Sequence, residues 1–379
     1  MILKRKVTKQ IQDILRDKKQ ILIYGAKCIG KTFEAINYCK SNKKDYELID
    51  FKGEIDIVSI FKSDAVDKVL ILDNIHYNTA IFKWFLKHQC IFKCQFIFIV
   101  DSFFYNLYNI SENEIVSIEI KPFTFTEFLS NTRRLETKSV YELYRLLGGY
   151  PEVIKTFLCT SNYNECVKVY NSILNKLWLE FNRTYDQLTQ YYSANAKFYE
   201  LTYSSPEVQL FANVLSTNKT NSVICYLYLA GLLDYTRVIV SGELIDITAK
   251  RFFPKDLGLF YYAVTTIEHA NENHLKGFIT ECFAFNELKC SIGKKSIEEE
   301  LYYMLSGDYE LDFVLKQNNR IIGIEVKTVT GTHKSMTFLK QNNYINSCIK
   351  LGMYKKSFSN GIIKYPIYLI GDLYKELIA

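Results

Sequence analysis

Proline and histidine are scarce, five of each in 379 residues, and the 16 glycines never join serine or proline in a tract. That excludes collagen-like, low-complexity and linker-dominated architectures. No uncharged apolar run reaches the length of a membrane-spanning helix, so no membrane partner is expected. The opening MILKRKVTKQIQDIL carries too much charge for a secretory leader. Paired cysteines are missing as well: the ten present are scattered singly among apolar residues, which fits reduced thiols in a cytoplasm rather than a disulfide framework. His88, Cys90 and Cys94 in HQCIFKC come nearest to a metal motif. They lack a second pair at zinc spacing, and core cysteine is the expectation there.

What is present is a chain with 48% hydrophobic residues, long enough for two or three domains with their own cores. Its net charge of +6 permits an acidic partner such as nucleic acid without requiring one. The 29 Tyr and 26 Phe are equally explained by an AT-rich coding sequence, so they are not counted as base-stacking platforms.

Residues 25–32 read GAKCIGKT, a GxxxxGKT phosphate loop. The preceding run, Gln20 to Tyr24, reads as a buried parallel strand, and Phe33 to Cys39 reads as a helix, the context such a loop requires. Gly25 and Gly30 let the backbone N–H groups of Ala26, Lys27, Cys28 and Ile29 close around phosphate oxygens. Lys31 would reach the outer phosphates and Thr32 would offer its hydroxyl to Mg²⁺, so ATP with Mg²⁺ is the expected ligand.

Further strands are predicted at 46–50, 68–73 and 95–100, alternating with helical segments. That pattern predicts an α/β fold with a doubly wound parallel sheet and its ligand at the carboxyl ends. Residues 1–135 form the expected nucleotide-binding core. Two helices punctuated by Gly148-Gly149 and Pro151 give a helical lid over 136–182. Residues 183–255 hold helical segments and then a hairpin around Ser241-Gly242, a winged-helix pattern. Its recognition segment NSVICYLYLAG carries no Lys or Arg, which favours a structural over a base-reading role. A last unit, 256–379, is predicted to contain a helix over 277–288, strands at 311–315 and 321–327, and a helix near 340–351.

Asp73, closing the strand VLILD, has the position and charge for a Mg²⁺ partner. Asn74 follows it. An amide can orient water but cannot take its proton, so slow hydrolysis is expected unless another carboxylate substitutes. Ser102, after QFIFIV, is placed either to contact the terminal phosphate or to cap a helix.

GAKCIGKT, VLILDN, FIFIVDS, IKPFTFTEFL and LLGGYPEVI occur in the order seen in a family of prokaryotic AAA-type P-loop ATPases, which the chain resembles over essentially its whole length. The resemblance implies a C-terminal domain of unknown function, similar to a winged helix joined to a nuclease-like fold. RFFPKDLGL and Tyr261 resemble the family's transition into that domain. Two departures stand out: Asn74 replaces the usual Glu, and 102–120 lacks the Gly-Arg pair of the relatives. Arg133 and Arg134 are candidates for a trans-acting arginine, with a solvated basic turn as the alternative.

In YELDFVLKQNNRIIGIEVKT, Asn318-Asn319 supplies a turn, Glu325 and Lys327 share one strand face, and a hairpin can bring Asp312 beside them. This is the layout of a PD-(D/E)xK nuclease site, in which Asp312 and Glu325 share Mg²⁺ and Lys327 orients water. An alternating-charge solvent face produces the same spacing. Glu281 resembles the helical carboxylate of that fold. The expectation is therefore an ATPase coupled to a Mg²⁺-dependent nuclease-like domain acting on DNA. The alternative is a nucleotide-dependent switch or scaffold for a protein partner, with homo-oligomerisation left open.

Overall fold

The computed structural model describes residues 3–17, 20–55, 60, 68–88, 91–110, 115–132, 136–195, 206–217, 219–240, 243–244, 250–266, 272–292, 300–317, 320–327 and 334–378. Cys90, Arg133, Arg134, Ser241-Gly242 and Asn318-Asn319 lie outside the described residues.

Helix α1 (Lys6–Asp17) buries Val7, Ile11 and Leu15, spaced four apart on one stripe. The strands β1 (Gln20–Gly25), β2 (Asp45–Asp50), β3 (Lys68–Asp73), β4 (Gln95–Asp101) and β5 (Ser117–Ile120) form a sheet in the order β2-β3-β4-β1-β5. Every pairing in it is parallel. The near-continuous burial of β1, β3 and β4 explains why they read as unbroken apolar runs. Register places Gly25 beside Asp101 and Asp50 beside Asp73, so the carboxyl ends of four strands meet at one edge. Helix α2 (Lys31–Ser41) starts directly from the loop after β1, and that loop lies at the topological switch between β1 and β4.

Helices α3 (Thr79–His88), α4 (Ser102–Leu107) and α5 (Phe125–Asn131) complete this part. Cys94 is buried in the apolar core and His88 stacks on Trp84. Three helices follow: α6 (Thr137–Leu147), α7 (Pro151–Thr160) and the 32-residue α8 (Tyr163–Ala194). Asp256 holds the Gly148-Gly149 turn between the first two, accepting from the Gly149 N–H at 2.6 Å. A side chain at Gly149 would collide with the Phe123 backbone, which explains the glycine. The expected division at 182/183 falls inside α8, because its apolar stripe continues to Leu188.

Helices α9 (Pro206–Asn213) and α10 (Thr220–Leu229) precede strands β6 (Leu233–Val240), β7 (Glu243–Leu244) and β8 (Lys250–Pro254). Helix α10 buries Val223 to Leu227 and Leu229, a packing element with no basic face for reading bases. Strand β6 pairs in parallel with β9 (Glu300–Ser306), so the strands of the 183–255 segment belong to the C-terminal sheet rather than to a separate module.

That sheet runs β13 (Ser357–Ser359), β14 (Ile362–Pro366), β12 (Ser347–Gly352), β11 (Arg320–Val326), β10 (Tyr309–Gln317), β9, β6 and β7, with β8 on β6. Helices α11 (Leu257–Thr265) and α12 (Glu272–Ile292) precede the antiparallel strands β9, β10 (Tyr309–Gln317) and β11 (Arg320–Val326). Helix α13 (Lys334–Gln341) then leads to β12 (Ser347–Gly352), parallel to β11. The expected helix near 340–351 is therefore corrected. Asn343 takes a left-handed conformation that ends the helix, and Cys348, Ile349 and Leu351 are buried in a strand covered on both faces. Strands β13 (Ser357–Ser359) and β14 (Ile362–Pro366) and helix α14 (Ile370–Ile378) finish the chain. One apolar core extends from α1 to Leu373. Among the described residues, no helix is long and apolar enough to cross a membrane.

Candidate functional sites

The loop from Gly25 to Thr32 curls because two residues take left-handed backbone, Cys28 at φ 64° and Gly30 at φ 91°. Such reversals turn successive N–H groups inward into an anion-binding nest at the start of α2. Arg5 braces the outside, donating to the Ile29 carbonyl at 3.1 Å and stacking on Phe123. Inside, the Lys31 ammonium donates to the Gly25 and Ala26 carbonyls, each at 3.0 Å, and to Asp101 at 2.7 Å.

Asp101 is the centre of a buried network. Lys27 lies 3.2 Å from it and 3.0 Å from Glu180 of α8, while His76 approaches at 3.6 Å. Burial alone would raise the Asp101 carboxyl, but Lys31 and Lys27 hold it well below the usual range. Burial would likewise lower Lys27, yet Asp101 and Glu180 raise it above the ordinary lysine value. His76 is lowered to about 4 by its own burial, against the pull of Asp101, and is neutral at pH 7. These groups border a cavity of about 480 Å³ closed on its far side by Lys176, Glu180 and Arg183 of α8. Arg183 stacks over Tyr77 at 4.1 Å.

Thr32 donates to Asp73 at 2.7 Å, the two side chains expected to share Mg²⁺. Burial raises the Asp73 carboxyl, with the Thr32 hydrogen bond opposing. Asn74, held in left-handed backbone (φ 54°), donates its side-chain amide to Asp50 at 2.9 Å. The Ser102 hydroxyl is buried without a hydrogen-bond partner and lies close to Gly231.

The second site lies on β10 and β11. Phe313 pairs with Ile324, so Asp312 stands one step further on, opposite Glu325, with both on one face. The register of β10 against β9 shifts between Leu311 and Val314, and such a bulge re-aims the side chain it carries. Asp312 accepts from the Val326 N–H at 2.6 Å. Lys327 pairs with one Glu325 oxygen at 2.9 Å, while the other oxygen is buried without a partner. Glu281 reaches the cluster from α12 but pairs with Arg251 of β8 at 2.6 Å. Burial, reinforced by Asp312, pushes Glu281 up to about 8. Burial also pushes Asp312 to about 6, with Val326, Arg251 and Lys327 opposing.

The structure thus brings together all four residues expected for this site. It does not present them as a chelating set: among the described residues no group of three His, Cys, Asp or Glu side chains is placed to hold a metal ion. The physical reason is local, since Arg251 occupies Glu281 and the strand backbone occupies one Asp312 oxygen. Sequence reasoning missed Asp101, Glu180, Arg5, Asp50 and Arg251. Asp101 and Asp50 had a local signal, as the carboxylates that end strands β4 and β2.

Residues 276–368 match the family described as Domain of unknown function (DUF4143), well under half of the chain. No curated protein matches the sequence significantly. Among solved structures, a Walker-type ATPase of Pyrococcus abyssi is 10% identical over 69% of this chain and 96% of its own, with a TM-score of 0.40. The Thermotoga maritima RuvB Holliday junction branch migration motor is 13% identical over 65% of this chain and 91% of its own, at 0.34. A Pyrococcus horikoshii signal transduction ATPase with numerous domains and a tetratricopeptide repeat sensor is 15% identical over 78% and 46%, at 0.32. At such scores the fold rests on the strand order and loop described above, not on these neighbours.

Proposed function

We propose that the chain is an AAA-type ATPase that binds ATP with Mg²⁺ at residues 25–32 and hydrolyses it slowly, and that the nucleotide controls a C-terminal nuclease-like site acting on DNA. The observation that carries the nucleotide reading is the 2.7 Å contact between Thr32 and Asp73 across the mouth of the loop. It sets a hydroxyl and a carboxylate side by side as hard oxygen ligands, and Lys31 already stands at the loop carbonyls as a charge for phosphate. Bound Mg²⁺ would neutralise phosphate charge there. Phosphates entering the nest compete with Asp101 for Lys31 and Lys27, and Lys27 is tied to α8 through Glu180. Binding is thereby linked to the position of that helix. The described cysteines are free thiols, in keeping with a reducing cytoplasm.

The nuclease part draws support from the element order, a helix, three antiparallel strands, a helix and a parallel strand, with Asp312, Glu325 and Lys327 on one face. The unpartnered Glu325 oxygen is an acceptor that could ligate a hard cation. The Arg251–Glu281 pair favours a second reading, a nucleotide-dependent switch or scaffold that cleaves nothing and binds a protein partner. ATP turnover with and without DNA, run beside Mg²⁺-dependent nicking of a plasmid, separates them. The nuclease reading expects cleavage abolished by Asp312→Ala and by Lys327→Ala with ATP binding intact. Cleavage that persists in both variants, or none by the wild type, leaves the switch.

A further inference from the structure

We infer that Asp50, on the strand next to the one carrying Asp73, is the base that takes the proton of the attacking water. The inference rests on the ATPase reading above and answers the chemical gap left by Asn74. Strands β2 and β3 end level: Asp50 pairs with Asp73 in register, and the Phe51 N–H donates to the Asp73 carbonyl at 2.9 Å. The carboxylate of Asp50 is therefore fixed beside the residue that follows Asp73.

Asn74 reports its orientation. A carboxylate only accepts, so the group Asn74 turns toward Asp50 at 2.9 Å is its amide nitrogen. Its carbonyl oxygen then faces away and can accept from a water O–H. The Lys52 N–H also donates to Asp50 at 3.1 Å, and both bonds fall on Oδ1. Among the described residues Oδ2 accepts no other hydrogen bond, and Asp50 is exposed at the strand end.

The competing carboxylates are committed elsewhere. Asp101 is held by Lys31 and Lys27, Glu180 by Lys27, and Asp73 by Thr32. Among the described residues Asp50 forms no ion pair. In the step, the water oxygen bonds to the terminal phosphorus and its proton passes to Asp50. The bridging P–O bond breaks, and its electron pair goes to the outer phosphate of ADP. Inorganic phosphate leaves, and Asp50 returns the proton to solvent. Asn74 and Asp50 together thus divide the work that one glutamate does elsewhere: the amide orients and the carboxylate accepts.

The test compares kcat with ATP affinity measured by calorimetry. Asp50→Asn keeps the shape of the side chain, so the fold is expected to hold. It should lower kcat by on the order of 100-fold, the usual size of a lost general base, with ATP affinity unchanged. Asp50→Glu should keep most of the turnover. Adding Asn74→Glu to Asp50→Asn should restore turnover by returning the base to the Asp73 strand. Turnover unchanged in Asp50→Asn, turnover and affinity lost in parallel, or a wild type no faster than Lys31→Ala would each overturn the assignment. Failure of the nucleotide reading itself is distinguishable, because ATP binding would then survive Lys31→Ala.

Discussion

At the phosphate loop a buried carboxylate sits between two lysines, and at the C-terminal sheet buried carboxylates sit against one another. Asp101 is held low by Lys31 and Lys27 despite its burial, whereas burial and mutual repulsion push Glu281 to about 8 and Asp312 to about 6. The same residue type therefore reports opposite needs. The loop has cations to offer once an incoming anion displaces Asp101, and the C-terminal cluster has negative charge that Arg251 and Lys327 offset.

Removing the offset at the second site is the strongest way to break this contrast. Arg251→Ala should destabilise the chain by about 2 kcal/mol, less than the ~3–5 kcal/mol typical of a broken buried pair, because Glu281 can take up a proton. Melting followed in chelator should show a drop of several degrees that added Mg²⁺ partly reverses, as for any ligand of the folded state. No recovery with Mg²⁺ would mean that the cluster does not attract a cation.

At the first site the chemistry is sharpened by adding Asn74→Glu to Asp50→Asn, which places a carboxylate directly after Asp73 with no second carboxylate facing it. Steady-state turnover should rise by roughly tenfold over Asp50→Asn alone, a little over 1 kcal/mol in barrier. A fall would mean that the water sits elsewhere.

The smallest effect is in pH. Glu281, Asp312, Glu287 (about 7) and Asp256 (about 6) have folded values raised chiefly by burial. Their stabilising contribution is complete below the unfolded carboxylate range and is lost as pH rises through about 6 to 8. Asp101 and Glu119 are the reverse. Burial opposes, but lysines hold Glu119 at about 2 and Asp101 low, so their contribution is lost as pH falls below about 4. Hydrogen exchange should show amides of 272–292, 300–317 and 320–326 losing protection between about pH 5 and 8.5. Loss confined to the loop strands over that range would reverse the assignment.

How much of this was legible follows from the range of the interactions. Strands β1, β3 and β4 are continuous apolar runs and were readable, as were the loop and Asp73. Strand β12 was misread as helix because KQNNYINSCIKL carries no β-alternation: buried on both faces, it has a pattern that periodicity alone cannot separate from a helix. The parallel pairing of β6 with β9 joins residues over sixty positions apart, which nothing local announces. The sites divide in the same way. Glu325 lies on β11 and Lys327 just past its end, so their 2.9 Å pairing is local in the sequence. Arg251 meets Glu281 only through the packing of β8 against α12, and Glu180 meets Lys27 only because α8 folds back over the loop.

The contrast depends first on whether the loop takes a polyphosphate through Lys31. Calorimetric titration of ATP with Mg²⁺ into the wild type and into Lys31→Ala tests this directly. Saturable binding by the wild type, weakened on the order of 100-fold or more when the ammonium is removed, is the predicted result. Equal affinity in the two proteins, or no binding by the wild type, would contradict it.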